Sequence, residues 1–295
     1  MIISRLRTYA SFVRISHSVF ALPFALAGAL LAYSGMKQPM PADQLGWRIW
    51  WIVAAMVAAR SAAMGFNRLV DARMDALNPR TAMRELPRRA MSVREAIAFV
   101  LVTSALFLFA AWKINTVCFL LSPVALAIIF WYSLAKRFTN YTQFFLGLAM
   151  AVAPVGGWLA MGGREDLWQP WLLAAAIGTW VGGFDILYAC QDLEFDRAHG
   201  LRSIPVRFGV RRSLALSRLM HVLTVVCLAL VGFAPFVTTL GPIYFAGVAA
   251  VAALLVYEQS LVRADDLSQV KRAFDLNGYV GILYLLVLLV ALYGQ

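Results

Sequence analysis

The residues of this chain best suited to chemistry are a few aspartates that occur in two similar patterns. The two sets, each spaced four residues apart, are Asn67, Asp71 and Asp75, and Tyr188, Asp192 and Asp196. Because residues i and i+4 lie on the same face of a helix, each set predicts a line of polar side chains along one helix. The offset between corresponding aspartates is the same 121 residues in both cases, which indicates an internal duplication.

Two lines of carboxylates call for a cation, since like charges four residues apart on a helix repel each other. The side chains offer oxygen ligands and no clustered histidine or cysteine, which favours Mg²⁺ over zinc or copper. Mg²⁺ typically combines one or two carboxylates with substrate phosphates. We therefore predict a site for a metal and a diphosphate. The alternative is that the aspartates only pair with nearby arginines such as Arg68, Arg73 and Arg197.

Three basic residues are candidates for the diphosphate, together with Asn67. Arg60 precedes Asn67 by seven residues, so it is predicted on the same helix face and inside an apolar segment. Arg14 lies at the start of the first apolar segment, and Lys136 lies at the end of the fourth. The planar guanidinium of arginine is well suited to phosphate and carboxylate groups.

The composition shows what kind of protein must position these residues. Of 295 residues, 62% are hydrophobic and only 14% are charged, against roughly a quarter in soluble domains. This excludes a soluble domain, a disordered chain and a disulfide scaffold, and it indicates a multi-pass membrane protein. The net charge of +11 does not indicate nucleic-acid binding, because the basic residues lie in short loops between apolar segments. We expect membrane lipid and no nucleic acid as partners.

Nine segments are long and apolar enough to cross a bilayer as helices. We predict spans at about 15–34, 47–66, 95–112, 115–134, 142–161, 168–190, 213–233, 239–260 and 276–293. The predicted fold is therefore all-α, a single transmembrane domain over residues 1–295.

The basic residues predict the orientation of these spans. Most of the 26 Lys and Arg residues lie in the N-terminal segment and in the loops after the even-numbered spans. The opposite loops hold only Lys37, Arg48, Lys113 and Arg164. Since cytoplasmic loops carry the excess of Lys and Arg, we predict a cytoplasmic N-terminus. Both aspartate sets then lie at the cytoplasmic face.

Four segments resemble one family in the order in which they occur. They are Asn67–Asp75 (NRLVDARMD), Tyr132–Thr139 (YSLAKRFT), Asp185–Asp196 (DILYACQDLEFD) and Gly200–Gly209 (GLRSIPVRFG). Together they resemble the intramembrane aromatic prenyltransferases of the UbiA superfamily, in particular the 4-hydroxybenzoate polyprenyltransferases. The resemblance covers nearly the whole chain. It implies nine helices around a central cavity open to the membrane.

The resemblance also implies roles for individual residues. The residues that would hold Mg²⁺ and the diphosphate are Asn67, Asp71, Asp75, Asp192 and Asp196. Arg137 would bind the carboxylate of the aromatic acid, and Asp185 is a further candidate for binding this acceptor. Asp192 and Tyr188 are the candidates for the group that takes the ring proton.

The implied reaction is Mg²⁺-dependent transfer of a polyprenyl group from its diphosphate to a ring carbon of an aromatic hydroxy acid. The enzyme would work at the cytoplasmic face of a bacterial inner membrane, in ubiquinone or menaquinone synthesis. Arg68 stands where ubiquinone-type enzymes often carry aspartate, and the loop 78–87 resembles a menaquinone sub-branch. The acceptor is therefore 4-hydroxybenzoate or 1,4-dihydroxy-6-naphthoate. Haem, a chlorophyll precursor or a larger naphthoate are further alternatives.

Two other classes of protein remain open. A cation-coupled secondary transporter also carries acids inside the membrane, although they are expected nearer the midplane and on broken helices. A structural or assembly protein of the membrane would tolerate loss of Asp71 apart from any effect on folding.

Overall fold

The computed structural model describes residues 8–9, 11–13, 21–38, 40–163, 168–233 and 240–294. Across these residues the chain forms helices and turns and no strand. The longer helices are α1 (Leu22–Ser34), α2 (Ala42–Leu77), α3 (Val93–Ile114), α4 (Thr116–Ala135), α5 (Thr142–Ala160), α6 (Gln169–Ala189), α8 (Ile204–Gly232), α9 (Pro242–Ser260) and α10 (Val270–Tyr293). A 3₁₀ turn (Cys190–Asp192) and the short helix α7 (Leu193–Ala198) follow α6.

Within the described part of the chain, eight helical segments are long and apolar enough to cross a membrane, counting α6 and α7 as one segment. They coincide with the predicted segments from the second to the ninth and several are longer, because polar turns at their ends continue the helix. In the predicted segment 15–34, the described residues begin at 21 and form the 13-residue helix α1. The chain is an all-helical, multi-pass membrane protein.

The chain divides into two compact units. One unit contains Met1–Ser18 and Trp50–Leu134, and the other contains Val19–Ile49 and Ala135–Gln295. The first unit thus holds the greater part of α2 together with α3 and α4. The second holds α1 and all helices from α5 onwards. The two aspartate sets lie in different units, so each is described within its own unit.

In the second unit, α6 is the central helix. It carries buried side chains on all faces, as expected of a helix surrounded by others. It packs against α5 and α8, while α1 packs against α5. Small residues permit these contacts: a Cβ at Gly157 would lie 1.9 Å from the carbonyl oxygen of Ala25, and one at Gly147 would lie 2.3 Å from that of Gly178. The glycines of α5 thus allow close approach of its neighbours α1 and α6.

Candidate functional site

The first aspartate set lies on one uninterrupted helix. Asn67, Asp71 and Asp75 all belong to the last three turns of α2. Asp71 is 5% exposed and Asp75 is 7% exposed, although both are near the end of the helix. Two buried carboxylates one turn apart require compensating hydrogen bonds or cations, because burial of an uncompensated charge is costly.

The amide of Asn67 links α2 to α4. Its Nδ2 donates to Oδ2 of Asp71 over 3.3 Å and lies 3.5 Å from Oγ of Ser133. Both contacts use the nitrogen, so they orient the amide with its oxygen Oδ1 on the opposite branch. That orientation leaves the amide oxygen, a ligand of the kind Mg²⁺ prefers, outside both contacts.

Asp75 has an arginine partner that the sequence analysis did not identify. Nη1 of Arg84 donates to both carboxylate oxygens of Asp75, at 2.7 and 2.8 Å. Oγ1 of Thr81 also donates to the backbone oxygen of Asp75 over 3.0 Å. The loop after α2 therefore folds back on the end of the helix. Of the arginines considered for such pairing, Arg73 and Arg197 are exposed and Arg68 is buried beside the set.

The same loop is anchored to the N-terminal segment. Oγ of Ser11 donates to Oε1 of Glu85 over 2.5 Å, and Glu85 is 4% exposed. Leu86 and Met91 pack with Phe12 in one buried apolar cluster. The bond from Thr81 to Asp75 fixes the loop before Arg84, and the contacts of Glu85, Leu86 and Met91 fix it after Arg84. Together they hold Arg84 close to Asp75.

The predicted diphosphate ligands are described in part. Arg60 is half-buried in the middle of α2, and its Nε has no hydrogen-bond partner among the described residues. This N–H can therefore still donate a hydrogen bond to a further acceptor. Arg14 lies outside the described residues, so its assignment stays a prediction.

The second aspartate set differs from the expected line on one helix. Helix α6 ends at Ala189, a 3₁₀ turn covers Cys190–Asp192, and Asp196 belongs to α7. A 3₁₀ turn advances by about 120° per residue instead of 100°, so the spacing of four no longer places Tyr188 and Asp192 on one α-helical face. The sequence repeat is therefore not matched by a repeated conformation. Such an interruption within a helical stretch often marks a functional hinge.

The turn after α4 lies against the end of the second set. Ser203 caps the N-terminus of α8, and its Oγ donates to Oδ2 of Asp196 over 3.3 Å. The neighbouring Arg202 donates its backbone N–H to the carbonyl oxygen of Lys136 over 3.2 Å and its Nη1 to that of Phe138 over 2.6 Å. These bonds place the Lys136–Arg137 turn next to the segment that follows Asp196. The Lys136 side chain is half-buried and that of Arg137 is exposed.

Tyr188 and Asp185 lie on the last two turns of α6, and both are partly exposed. The ring of Tyr188 packs against Phe274 of α10, with 4.5 Å between the ring centroids. Cys190 is buried in an apolar cluster with Leu187 and Leu214.

Among the described residues, no group of three or more His, Cys, Asp or Glu side chains is placed to hold a metal by itself. The donors in the first unit are instead an amide and carboxylates. This set fits Mg²⁺ bound with substrate phosphates and water, and it does not fit a closed protein cage.

Comparison with known proteins agrees with the four sequence segments. The model of the UbiA prenyltransferase family matches residues 21–290. The chain is 33% identical over 240 residues to a 4-hydroxybenzoate octaprenyltransferase of Vibrio parahaemolyticus, with coverage of 81% of this chain and 82% of the relative. It is 32% identical over 233 residues to the enzyme of the same name from Edwardsiella ictaluri, which covers 79% of each chain.

Solved structures agree with the fold. The apo structure of a UbiA homolog from Aeropyrum pernix K1 superposes with a TM-score of 0.81 at 37% identity, covering 94% of this chain and 98% of that one. A UbiA homolog from Archaeoglobus fulgidus, bound to GPP and Mg²⁺, has a TM-score of 0.69 at 22% identity, covering 97% and 99%. The match over residues 21–290, taken with these relatives, shows that the chain belongs to the UbiA prenyltransferase family.

Proposed function

We propose that this prenyltransferase moves a polyprenyl group from a polyprenyl diphosphate to a ring carbon of 4-hydroxybenzoate, and that it requires Mg²⁺. The observation that carries the proposal is the buried pair Asp71 and Asp75 beside Asn67 on one face of α2. The names of the relatives support the choice of acceptor. Membership of a prenyltransferase family favours an enzyme over the transporter and structural alternatives.

The residues of the first set would act on the donor head group. Asn67, Asp71 and Asp75 would hold Mg²⁺, and Arg60 would bind phosphate oxygens through its guanidinium. When bound, Mg²⁺ neutralises the charge that develops on the leaving diphosphate. Because Arg84 already contacts both oxygens of Asp75, a metal at Asp75 must share that carboxylate with Arg84 or displace it. Asp71 is therefore the first ligand to test.

The second unit would supply further ligands of the metal and the diphosphate, and the residues that bind the acceptor. Asp192 and Asp196 are the proposed metal ligands of this unit and Lys136 is its proposed phosphate ligand. Arg14, in the first unit, is a further proposed phosphate ligand. Arg137 and Asp185 would position the acceptor, and Tyr188 or Asp192 would take the ring proton. The hydrogen bonds from Arg202 to the 136–138 turn support this grouping, because they bring Lys136 and Arg137 beside the loop that follows Asp196.

We further propose that the nine predicted spans form one transmembrane domain around a central cavity, with a cytoplasmic N-terminus. The single uninterrupted family match over residues 21–290 supports one domain. The excess of Lys and Arg in alternate loops supports an active site at the cytoplasmic face of the inner membrane. The pathway would be quinone synthesis.

The first experiment is a prenyl-transfer assay on purified protein in detergent, with Mg²⁺ or with EDTA. 4-Hydroxybenzoate and 1,4-dihydroxy-6-naphthoate are offered separately, because the 78–87 loop resembles the menaquinone sub-branch. Asp71→Asn should lower the rate by about 100-fold or more, as expected for loss of a group that stabilises charge in the transition state. Asp43→Asn, an exposed acid at the other end of α2, is the matched control.

The outcomes separate the proposals. A Mg²⁺-dependent product from one acceptor identifies that acceptor and the quinone it leads to. Folded protein that gives no product with either acceptor would overturn both choices. A wild-type rate that is unchanged by EDTA would overturn the proposed metal.

A further inference from the structure

A chain of buried polar side chains joins three helices of the second unit. Nε1 of Trp180 on α6 donates to Oδ1 of Asn277 on α10 over 2.6 Å. Nδ2 of Asn277 in turn donates to Oε1 of Glu258 on α9 over 2.9 Å. All three residues are at most 1% exposed, although they lie in strongly apolar segments.

A second group of polar side chains reaches the same part of α6 from α8. Oγ of Ser217 donates to the carbonyl oxygen of Gly183 over 2.7 Å. Nε2 of Gln259 on α9 donates to Ser217 Oγ over 2.7 Å and lies 3.1 Å from Nδ1 of His221. A Cβ at Gly183 would lie only 2.4 Å from the His221 ring, so glycine permits this close approach.

Both groups therefore end on one turn of α6, from Trp180 to Gly183. The apolar faces of packed helices allow small rotations, whereas a hydrogen bond in an apolar medium has a directional optimum and is costly to break. A glutamate and an asparagine inside a membrane span are themselves costly, which indicates a role that leucine would not fill. Contacts at this turn fix the rotation of α6 about its axis.

The rotation of α6 decides where its last turns point. Asp185 follows Gly183 by two residues and Tyr188 by five, all within the same helix. We propose that Ser217, Glu258 and Asn277 are positioning residues. They hold α6 in the rotation that orients the side chains of Asp185 and Tyr188 as the reaction requires. This inference rests on the proposed function, since it assumes that those two side chains serve the reaction.

The chain contains a matched pair of serines to test this idea. Ser217 and Ser213 are both on α8 and both 0% exposed. Ser217 bonds the carbonyl of Gly183 on α6, whereas Oγ of Ser213 bonds the carbonyl of Gly209 in its own helix over 2.8 Å. Ser217→Ala removes the hydrogen bonds with Gly183 and Gln259, whereas Ser213→Ala removes one bond within α8, so only the Ser217 variant releases a contact on α6.

Hydrogen exchange of the segment 184–192 in detergent supplies a readout that does not depend on activity. Ser217→Ala should speed amide exchange there about fivefold relative to Ser213→Ala, the factor that corresponds to the loss of one hydrogen bond. In the prenyl-transfer assay, the same variant should lower kcat and leave the KM for the diphosphate close to that of Ser213→Ala. Equal exchange in the two variants would overturn the proposal.

Glu258 provides a second test by conservative replacement. Glu258→Gln keeps an oxygen that accepts from Asn277, and its new amide lies where Oε2 stands 3.9 Å from His221 Nδ1. Glu258→Leu removes the acceptor. The glutamine variant should keep wild-type exchange in 184–192 and wild-type kcat, and the leucine variant should lose both. Equal exchange in these two variants would also overturn the proposal.

Different results would overturn the proposed function and the positioning role. If the wild-type protein transfers no prenyl group with Mg²⁺, the proposed function fails. The exchange experiment still decides whether these residues hold α6. If transfer occurs but Ser217→Ala and Ser213→Ala have the same kcat, the positioning role is overturned and the proposed function stands.

Discussion

Replacement of Arg84 by methionine tests the contact between the loop after α2 and the first aspartate set. The variant keeps an unbranched apolar stem and removes the guanidinium. Nη1 of Arg84 now lies 2.7 Å from Oδ1 of Asp75, with 22% of the arginine side chain and 9% of the aspartate side chain exposed. Without Arg84, the Asp75 carboxylate stays almost buried and loses the cation that contacts both of its oxygens.

The expected loss of stability follows from this burial. Removal of one partner of a fully buried ion pair costs about 3–5 kcal/mol, mostly because a charge is left uncompensated. Since Arg84 is partly exposed, water screens the pair, and we expect a smaller loss of about 2 kcal/mol. A loss of that size lowers the ratio of folded to unfolded protein about 30-fold.

The measurement is an unfolding titration in mixed detergent, with thermal inactivation as a second readout. Arg88→Met is the matched control, because Arg88 is an exposed arginine one turn further along the same loop. Arg84→Lys should retain most of the stability, since a single nitrogen makes both contacts with Asp75. If Arg84→Met and Arg88→Met unfold alike, the pair carries no net stability and the reasoning is refuted.

Two further predictions concern helix packing and capping. Gly157→Ala should destabilise the protein by about 1–3 kcal/mol, because its Cβ would lie 1.9 Å from the Ala25 carbonyl oxygen. Gly156→Ala is the control, since no atom lies within 4 Å of its Cβ position; a lower melting temperature for both variants would contradict this explanation. Ser203→Ala and Ser92→Ala each remove a helix N-cap and should each cost about 1 kcal/mol in thermal unfolding. Ser92→Asp should keep the cap fully. Ser203→Asp should not, because its carboxylate would lie next to that of Asp196. Equal stability of the two aspartate variants, each relative to its alanine variant, would refute the contact with Asp196.

The positions of the helices could be predicted because hydropathy is a local property. Twenty or so apolar residues in sequence must form a helix in a bilayer, whatever their neighbours are. The ends were less predictable: α2 continues to Leu77, through the polar residues of the first aspartate set. Polar turns of this kind carry no hydropathy signal, and packing with the loop after the helix holds them in helical form.

The polar contacts of the second unit are only partly visible in the sequence. Glu258 and Asn277 are polar residues inside apolar segments, and such residues are strong indicators of function. Their partners carried no such signal: Trp180 and Asn277 are 97 residues apart and are joined only when α6 packs near α10. The 3₁₀ turn at Cys190–Asp192 was also hidden, because a spacing of four residues fits a continuous helix equally well.

The sequence alone determined the membrane class, the approximate helices, the two aspartate sets and the family, because hydropathy and short motifs depend on residues close together in the chain. The tertiary structure decided that Arg84 pairs with Asp75, that the second set includes a 3₁₀ turn, and that polar contacts from α8 and α10, supported by α9, hold α6. These features join residues distant in sequence. Their partners are chosen by which helix faces pack together, and hydrogen bonds buried in an apolar environment then hold that choice.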